Sequence, residues 1–160
     1  MNDDDIPVTN AVRFLREKEI PFVAHKYRYE KEDITEVAAR AVGVEEHIVV
    51  KTLVMQDDRG NPLIALMHGD KQVSAKKLAR AIGAKNVVSA SPREAERFTG
   101  YKVGGISPFG IRRSIPVYVE ESILTLPRLF INGGRRGLLL EMQPELLLKA
   151  IPFRAVNVST

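Results

Sequence analysis

One segment constrains this chain more than any other: Ile48-Val49-Val50-Lys51-Thr52-Leu53-Val54-Met55. Strand alternation places Val49, Lys51, Leu53 and Met55 on one face and Ile48, Val50, Thr52 and Val54 on the other. Both faces are apolar, the pattern of a central strand covered on two sides. Asp57-Asp58-Arg59-Gly60-Asn61 follows as a turn signal, and Pro62 to Met67 reads as the antiparallel partner.

The rest of the chain supplies helices and further strands around that pair. Thr9 is placed to cap a helix carrying Val12, Phe14, Leu15 and Ile20, ended by Pro21, and Phe22 to Tyr27 reads as a strand. Arg28 to Asp33 is a charged, solvated loop. Thr35 is expected to cap a short helix stopped by Gly43. Ser74 to Ile82 reads as a helix ended by Gly83, and Lys85 to Ala90 as a short strand. Ser91-Pro92-Arg93-Glu94 combines a cap, a proline at the first helical position and a glutamate at the third, starting a helix that ends near Gly100. Ile115 to Val119, Leu129 to Ile131 and Leu138 to Met142 are further strands, and Pro144 begins a last short helix. The order is mixed α/β, and no linker is long or polar enough to divide it, so residues 1–160 are expected to form one domain. Ala39-Arg40-Ala41-Val42-Gly43 is echoed by Ala79-Arg80-Ala81-Ile82-Gly83. A duplication, or the few residues that suit a helix-glycine-strand connection, would each produce this echo.

Composition narrows the chemistry. The chain has 160 residues, 44% of them hydrophobic and 28% charged, enough to bury a core without disulfides or a structural metal. It contains no cysteine, which excludes a disulfide scaffold, a thiolate metal site and a protein cysteine nucleophile. Twenty-four Lys and Arg against twenty Asp and Glu give +4, compatible with a polyanionic partner but no proof of one. Met1-Asn2-Asp3-Asp4-Asp5 is acidic where a signal peptide is basic, and no run is long enough to span a bilayer. A cytoplasmic location with no membrane partner is the expectation.

Three features carry candidate chemistry. Lys51, on an otherwise apolar face, must snorkel, pair with a carboxylate or open into a pocket, where it would suit an anionic oxygen or phosphate. Gly104-Gly105-Ile106-Ser107-Pro108-Phe109-Gly110 fits neither a strand nor a helix. It is either a tight crossover or a rigid loop presenting backbone donors to a carbonyl or ribose. Asn132-Gly133-Gly134-Arg135-Arg136-Gly137 is either a phosphate clamp or a solvated hairpin tip. Neither glycine segment has dinucleotide-fingerprint or Walker spacing. His25, His47 and His68 show no metal-ligand spacing, and Ser107 lacks the nucleophile-elbow pattern, so neither a metal nor another cofactor is expected.

At Val50-Lys51-Thr52-Leu53, Lys76-Lys77-Leu78-Ala79-Arg80-Ala81-Ile82-Gly83-Ala84-Lys85, Thr99 to Gly110 and Gly133 to Gly137, the chain resembles the YbaK/EbsC family. These are freestanding relatives of the editing domain inserted in bacterial prolyl-tRNA synthetases. The resemblance runs from about Thr9 to Ala150, in order and in spacing. It implies a mixed, barrel-like β-sheet flanked by helices, and trans-editing of mischarged tRNA at its acceptor end. Lys51 matches the family's essential lysine, which holds the aminoacyl-adenosine end. Gly105 matches the loop glycine whose backbone contacts the aminoacyl group or terminal ribose.

Gly104, Ile106, Ser107 and Pro108 then belong to the same pocket, with Gly133, Gly134 and Arg135 beside it. Thr52 and Asp70 are weaker members, Thr52 because alternation points it to the opposite face. Lys76, Lys77 and Arg80, with Lys85 and Arg136, would hold the tRNA backbone. The family's chemistry lets the substrate or water supply the nucleophile, a cysteine thiol attacking its own ester in the cysteine-specific members. The implied partners are mischarged tRNA and prolyl-tRNA synthetase, with no DNA. Removal of Cys from Cys-tRNA(Pro) leads. A deacylase for Ala or another residue stays open, because Val50 and Asn132 depart from the family's pattern, and so does a non-catalytic tRNA-end or nucleotide binder that keeps the pocket without turnover.

Overall fold

The computed structural model describes residues 5–30 and 35–160. Lys31 to Asp33 of the charged loop, and Met1 to Asp4 of the acidic N-terminus, lie outside the described residues. In chain order the elements are α1 (Asn10–Glu17), β1 (Val23–Lys26), α2 (Thr35–Val42), β2 (Val49–Asp57), β3 (Pro62–His68), α3 (Ala75–Ile82), β4 (Val87–Ser89), α4 (Pro92–Thr99), β5 (Val117–Glu120), β6 (Leu129–Asn132), β7 (Leu138–Met142), α5 (Glu145–Ala150) and β8 (Arg154–Val156). Single 3₁₀ turns cover Glu46–Ile48 and Glu121–Thr125.

The doubly apolar run is the middle of a mixed eight-stranded sheet of order β1-β7-β6-β2-β3-β5-β8, with β4 also paired to β2. The β2–β3 hairpin turns at Asp57, whose Oδ1 accepts the N–H groups of Arg59 and Asn61 at 2.9 Å each, while Gly60 takes φ +78°. Two strands share the other edge of β2. β6 pairs in parallel at Val49 and Val50, and β4 pairs antiparallel from Met55 to Asp57. A notch is left between them. β1 and β8 end the path without pairing to each other, so the sheet is open rather than closed as a barrel.

Both faces are covered, as the alternation requires. On one, Val50, Val54, Ile64 and Leu66 pack with Leu15 of α1, Phe98 of α4 and Leu147 of α5. On the other, the cover is split. Val49, Phe130 and Leu139 lie with Ala38 and Ala39 of α2. Met55, Leu63, Ala65 and Met67 lie with Leu78 and Ala79 of α3. The echoed helix-glycine segments are thus the two covers of one face, each ended by a left-handed glycine, Gly43 at φ +77° and Gly83 at φ +76°.

Local signals set most helix ends. The hydroxyls of Thr9, Ser74 and Ser91 accept the N–H groups of Val12, Lys77 and Glu94. α1 stops before Pro21, however. Glu19 takes φ +57°, its N–H bonds to the Arg16 carbonyl, and Ile20 N–H reaches back to Leu15. This six-to-one closure folds Ile20 into the core, with Pro21 lying beyond it.

Candidate active site

Lys51 lies where the split cover leaves its face of β2 open, between the α2 and α3 clusters. A cavity of about 460 Å³ opens there. Its wall is largely apolar, with Tyr27, Val49, Leu53, Val103, Ile106 and Leu139, and its polar groups come from Thr35, Glu46, Lys51, Thr52, Gln72 and Asn132. The Lys51 ammonium has three N–H donors and spends one on the Gly69 carbonyl at 3.3 Å. The other two have no partner among the described residues. Burial pulls the Lys51 pKa below the ordinary lysine value, and the charges of Glu46 and Asp70 pull against that shift.

The notch brings Thr52 to the same cavity despite its opposite face. Gly69 N–H donates to the Val49 carbonyl at 2.7 Å, so Val49, Lys51 and Leu53 aim their backbone groups at β3. Thr52 aims its N–H and carbonyl the other way, into the gap between β6 and β4. Its Oγ1 is buried without a hydrogen-bond partner. Such a group is costly unless something bonds to it.

Gly69 joins the polar groups into one rim. Its carbonyl holds Lys51 and lies 3.1 Å from Thr35 Oγ1, which is 2.6 Å from Glu46 Oε2. The hydroxyl has one proton, and the shorter contact gives it to the carboxylate. A Cβ on Gly69 would stand 2.8 Å from the Glu46 carbonyl oxygen and from Thr35 Cβ and Oγ1, so only glycine permits this approach. Thr35, expected as a helix cap, is therefore a tertiary contact. Asp70 sits exposed just beyond, its Oδ1 2.9 Å from His47 Nδ1, outside the cavity wall. The His47 ring stacks on buried His68 at 3.9 Å.

The two glycine segments meet each other. A Cβ on Gly105 would stand 2.8 Å from Arg136 N and 2.9 Å from the Arg135 carbonyl carbon, so this glycine faces the turn and not the cavity. Gly104 and Ile106, on either side, do line the cavity. Asn132 locks the pair. Its amide donates to the Gly104 carbonyl at 3.1 Å, and its Oδ1 accepts the N–H groups of Gly134 and Arg135. Arg136 donates through Nε to the Val103 carbonyl at 2.8 Å and stacks over Tyr29, while the Arg135 side chain is exposed beside it.

Other expected positions fall elsewhere. Ser107 and Pro108 are buried in the core, with Ser107 Oγ accepting Phe109 N–H, and neither lines the cavity. Gly133 packs on Leu138 and Leu140, and Gly134 on Tyr101 and Ala11. Lys76, Lys77 and Arg80 are exposed on α3, and Lys76, Arg80 and Lys85 flank a separate shallow groove. Among the described residues no three His, Asp or Glu side chains converge as a metal shell requires. No helix among the described residues is long and apolar enough to cross a membrane. Sequence reading missed Thr35, Glu46 and Gly69 as site residues. The only local sign was Gly69-Asp70 interrupting an apolar run.

Known proteins resemble this chain in sequence and fold. The profile of the aminoacyl-tRNA editing domain matches residues 30–150. EbsC of Enterococcus faecalis, named as a candidate Cys-tRNA(Pro)/Cys-tRNA(Cys) deacylase, is 29% identical over 95% of this chain and 93% of its own. A proline–tRNA ligase of Nitratidesulfovibrio vulgaris is 34% identical over 56% of this chain, which spans 15% of that enzyme. The solved structure of hypothetical protein APE2540 superposes with a TM-score of 0.86 at 26% identity, over 94% of this chain and 99% of that one. A candidate trans-editing enzyme for prolyl-tRNA synthetase superposes at 0.84 and 24% identity, over 97% and 99%, a likeness of fold.

Proposed function

We propose, from the premise that this chain belongs to the aminoacyl-tRNA editing domain family, that it acts in trans as a deacylase releasing a small misacylated residue from the acceptor end of tRNA. The observation that carries this reading is the Lys51 ammonium, half-buried in an apolar cavity with two donors unspent. Such a group suits an oxygen that is anionic or becomes so, the phosphate of the terminal nucleotide or the ester carbonyl under attack. The Thr52 backbone groups in the notch and Gly104 opposite fit the adenosine end.

The ester is then broken by a nucleophile the protein does not supply. Water adds to the carbonyl carbon, the ribose oxygen leaves with a proton, and free amino acid is released. With a cysteinyl ester, the substrate's own thiol can add instead, losing its proton as the ribose oxygen gains one and leaving a thiolactone. In either route the chain positions and polarises groups already present. Cysteine from Cys-tRNA(Pro) is the leading substrate, in line with the name EbsC carries. Alanine is the second, since it lacks only the thiol of cysteine, and one group of about a methylene's size in such a pocket discriminates by only about 1–3 kcal/mol. The match to a proline–tRNA ligase makes tRNA(Pro), and that synthetase as partner, the first to try. Lys76, Lys77, Arg80 and Lys85 would serve as backbone contacts.

Release of amino acid from Cys-, Ala- and Ser-charged tRNA, followed with wild type and Lys51→Ala, tests the reading. Turnover of at least one substrate by wild type and none by the folded variant is expected. No release above a protein-free control on any of the three sinks it. Mass analysis of the product separates free cysteine from thiolactone.

A further inference from the structure

Among the described residues, the cavity wall carries one cation, Lys51, and one anion, Glu46, that form no ion pair with each other. Glu46, at the start of the 3₁₀ turn that leads into β2, lines the same wall as Lys51. Yet no ion pair joins them, and Lys51 rests on the neutral Gly69 carbonyl. The rim from Lys51 Nζ through Gly69 O and Thr35 Oγ1 to Glu46 Oε2 sets the two charges within three hydrogen-bond lengths of each other. Thr35 satisfies Oε2 alone, and Oε1 has no hydrogen-bond partner among the described residues. Asp70, the other acidic group that acts on Lys51, is already engaged by His47 and lies outside the cavity wall. Among the described residues, Glu46 is thus the carboxylate available to whatever enters.

A ligand that satisfies both charges bears a cation close to an electron-rich oxygen. An aminoacyl ester of ribose is such a ligand, with its α-ammonium one carbon away from the ester carbonyl. Resting on the deacylase reading for the identity of the ester, we infer that Glu46 receives the α-ammonium of the aminoacyl group while Lys51 holds the oxygen side. Glu46 is then a specificity-determining residue. It selects esters with a free α-amine and rejects those whose amine is acylated, since an amide nitrogen carries no charge and would leave the carboxylate desolvated and unpaired. The chain would therefore discriminate aminoacyl-tRNA from N-formylated or peptidyl-tRNA, whatever side chain it prefers.

The test separates this selection from turnover. Stable 3′-amide analogues, 3′-alanylamino-3′-deoxyadenosine and its N-acetyl form, are titrated by calorimetry into the full chain and into Glu46→Gln. Wild type is expected to bind the free amine at least about tenfold more tightly, the scale of one charge-assisted hydrogen bond. Glu46→Gln should bring the two forms within about twofold by weakening only the free amine, with Glu46→Asp retaining part of the preference. If Glu46 merely anchors Thr35 and α2, both analogues weaken together and the inference is overturned. It is equally overturned if wild type shows no preference, binds neither analogue, or if Glu46→Gln keeps the full preference. Deacylation by wild type is scored in a separate assay. Its absence would remove the catalytic reading while the titration still decides on Glu46.

Discussion

β2 has a cavity at each end, and the two differ in a way that volume does not capture. The one at the hairpin end, between the Asp57–Asn61 turn, the Ile82–Lys85 segment and Arg113, is the larger at about 640 Å³. Its carboxylates are already engaged, and the Arg59 and Lys85 side chains on its border are exposed to solvent. Asp57 accepts from Asn61 and, to a lesser degree, Arg59, which hold its carboxyl below the usual carboxylate range. Asp58 accepts Lys85 N–H at 2.9 Å, and the Arg113 guanidinium lies over the Phe98 ring at 4.9 Å. The smaller cavity at Lys51 has the reverse character. Two ammonium donors of Lys51 and one carboxylate oxygen of Glu46 are without partners among the described residues. A folded chain tolerates unmet polar groups mainly where something else completes them. Unspent bonding capacity on half-buried groups, more than space, marks the functional end of the strand.

The largest expected effect comes from emptying that capacity. Lys51→Ala should lower kcat/KM for deacylation by about 100-fold or more, the scale of losing a charged donor at a developing anion. The melting transition should stay cooperative, because the lysine contributes one long hydrogen bond. Gly69→Ala comes next. Its Cβ would collide with Glu46 and Thr35, pushing α2 off the rim, so kcat/KM should fall about tenfold, with about 1–3 kcal/mol of stability lost to overpacking. Both variants are read by initial rates on charged tRNA beside thermal melts. Unimpaired activity in Gly69→Ala would detach the rim from function.

The pH profile sharpens the same contrast. Burial depresses the Lys51 pKa, so the ammonium is lost on raising pH before an ordinary lysine would lose its proton. Deacylation, corrected for spontaneous ester hydrolysis, should therefore decline on the alkaline side at a pH below the free-lysine range. Asp70→Asn removes a charge that supports the protonated form and should move that decline to lower pH still. A limb unmoved in Asp70→Asn would mean that Lys51 is not the group titrating. A smaller effect is expected on α3. Lys76→Ala with Arg80→Ala should reduce kcat/KM about threefold at low salt, and the difference should vanish as salt rises, since such contacts act through the phosphate backbone. A deficit that persists at high salt would place those side chains in a structural role.

What the sequence disclosed about this site follows from the range of the forces involved. Lys51 was visible because strand alternation is strictly local, and a lysine in a doubly apolar run conflicts with its neighbours. The caps at Thr9, Ser74 and Ser91 and the Asp57–Gly60 turn were legible for the same reason, each acting within four residues. Thr35 bore the same cap signature, but its partners are 11 and 34 residues away, and no local spacing reveals them. Glu19 ends α1 in a left-handed conformation without being glycine, so the chain offers no mark there. β8 pairs in parallel with β5 across a long connection and alternates too briefly to register. Ser107 was expected in the pocket wall, yet it is buried with Phe109 in the core, a placement set by long-range packing.

The smallest expected effect is the strictest check on the comparison of the two cavities. Asp58→Ala removes the carboxylate that accepts Lys85 N–H at the hairpin end. The bond is exposed to solvent, so water replaces much of what is lost, and the cost should lie at the low end of about 0.5–1.5 kcal/mol. Deacylation should stay within about twofold of wild type, because Asp58 shares no rim contact with Lys51 and lines only the larger cavity. A uniform drop in rate that tracks the lost stability would leave the assignment intact. A drop in kcat/KM of tenfold or more with an unchanged melting temperature would not. It would make the hairpin-end cavity part of the working surface, and bonding capacity would no longer tell the two ends of β2 apart.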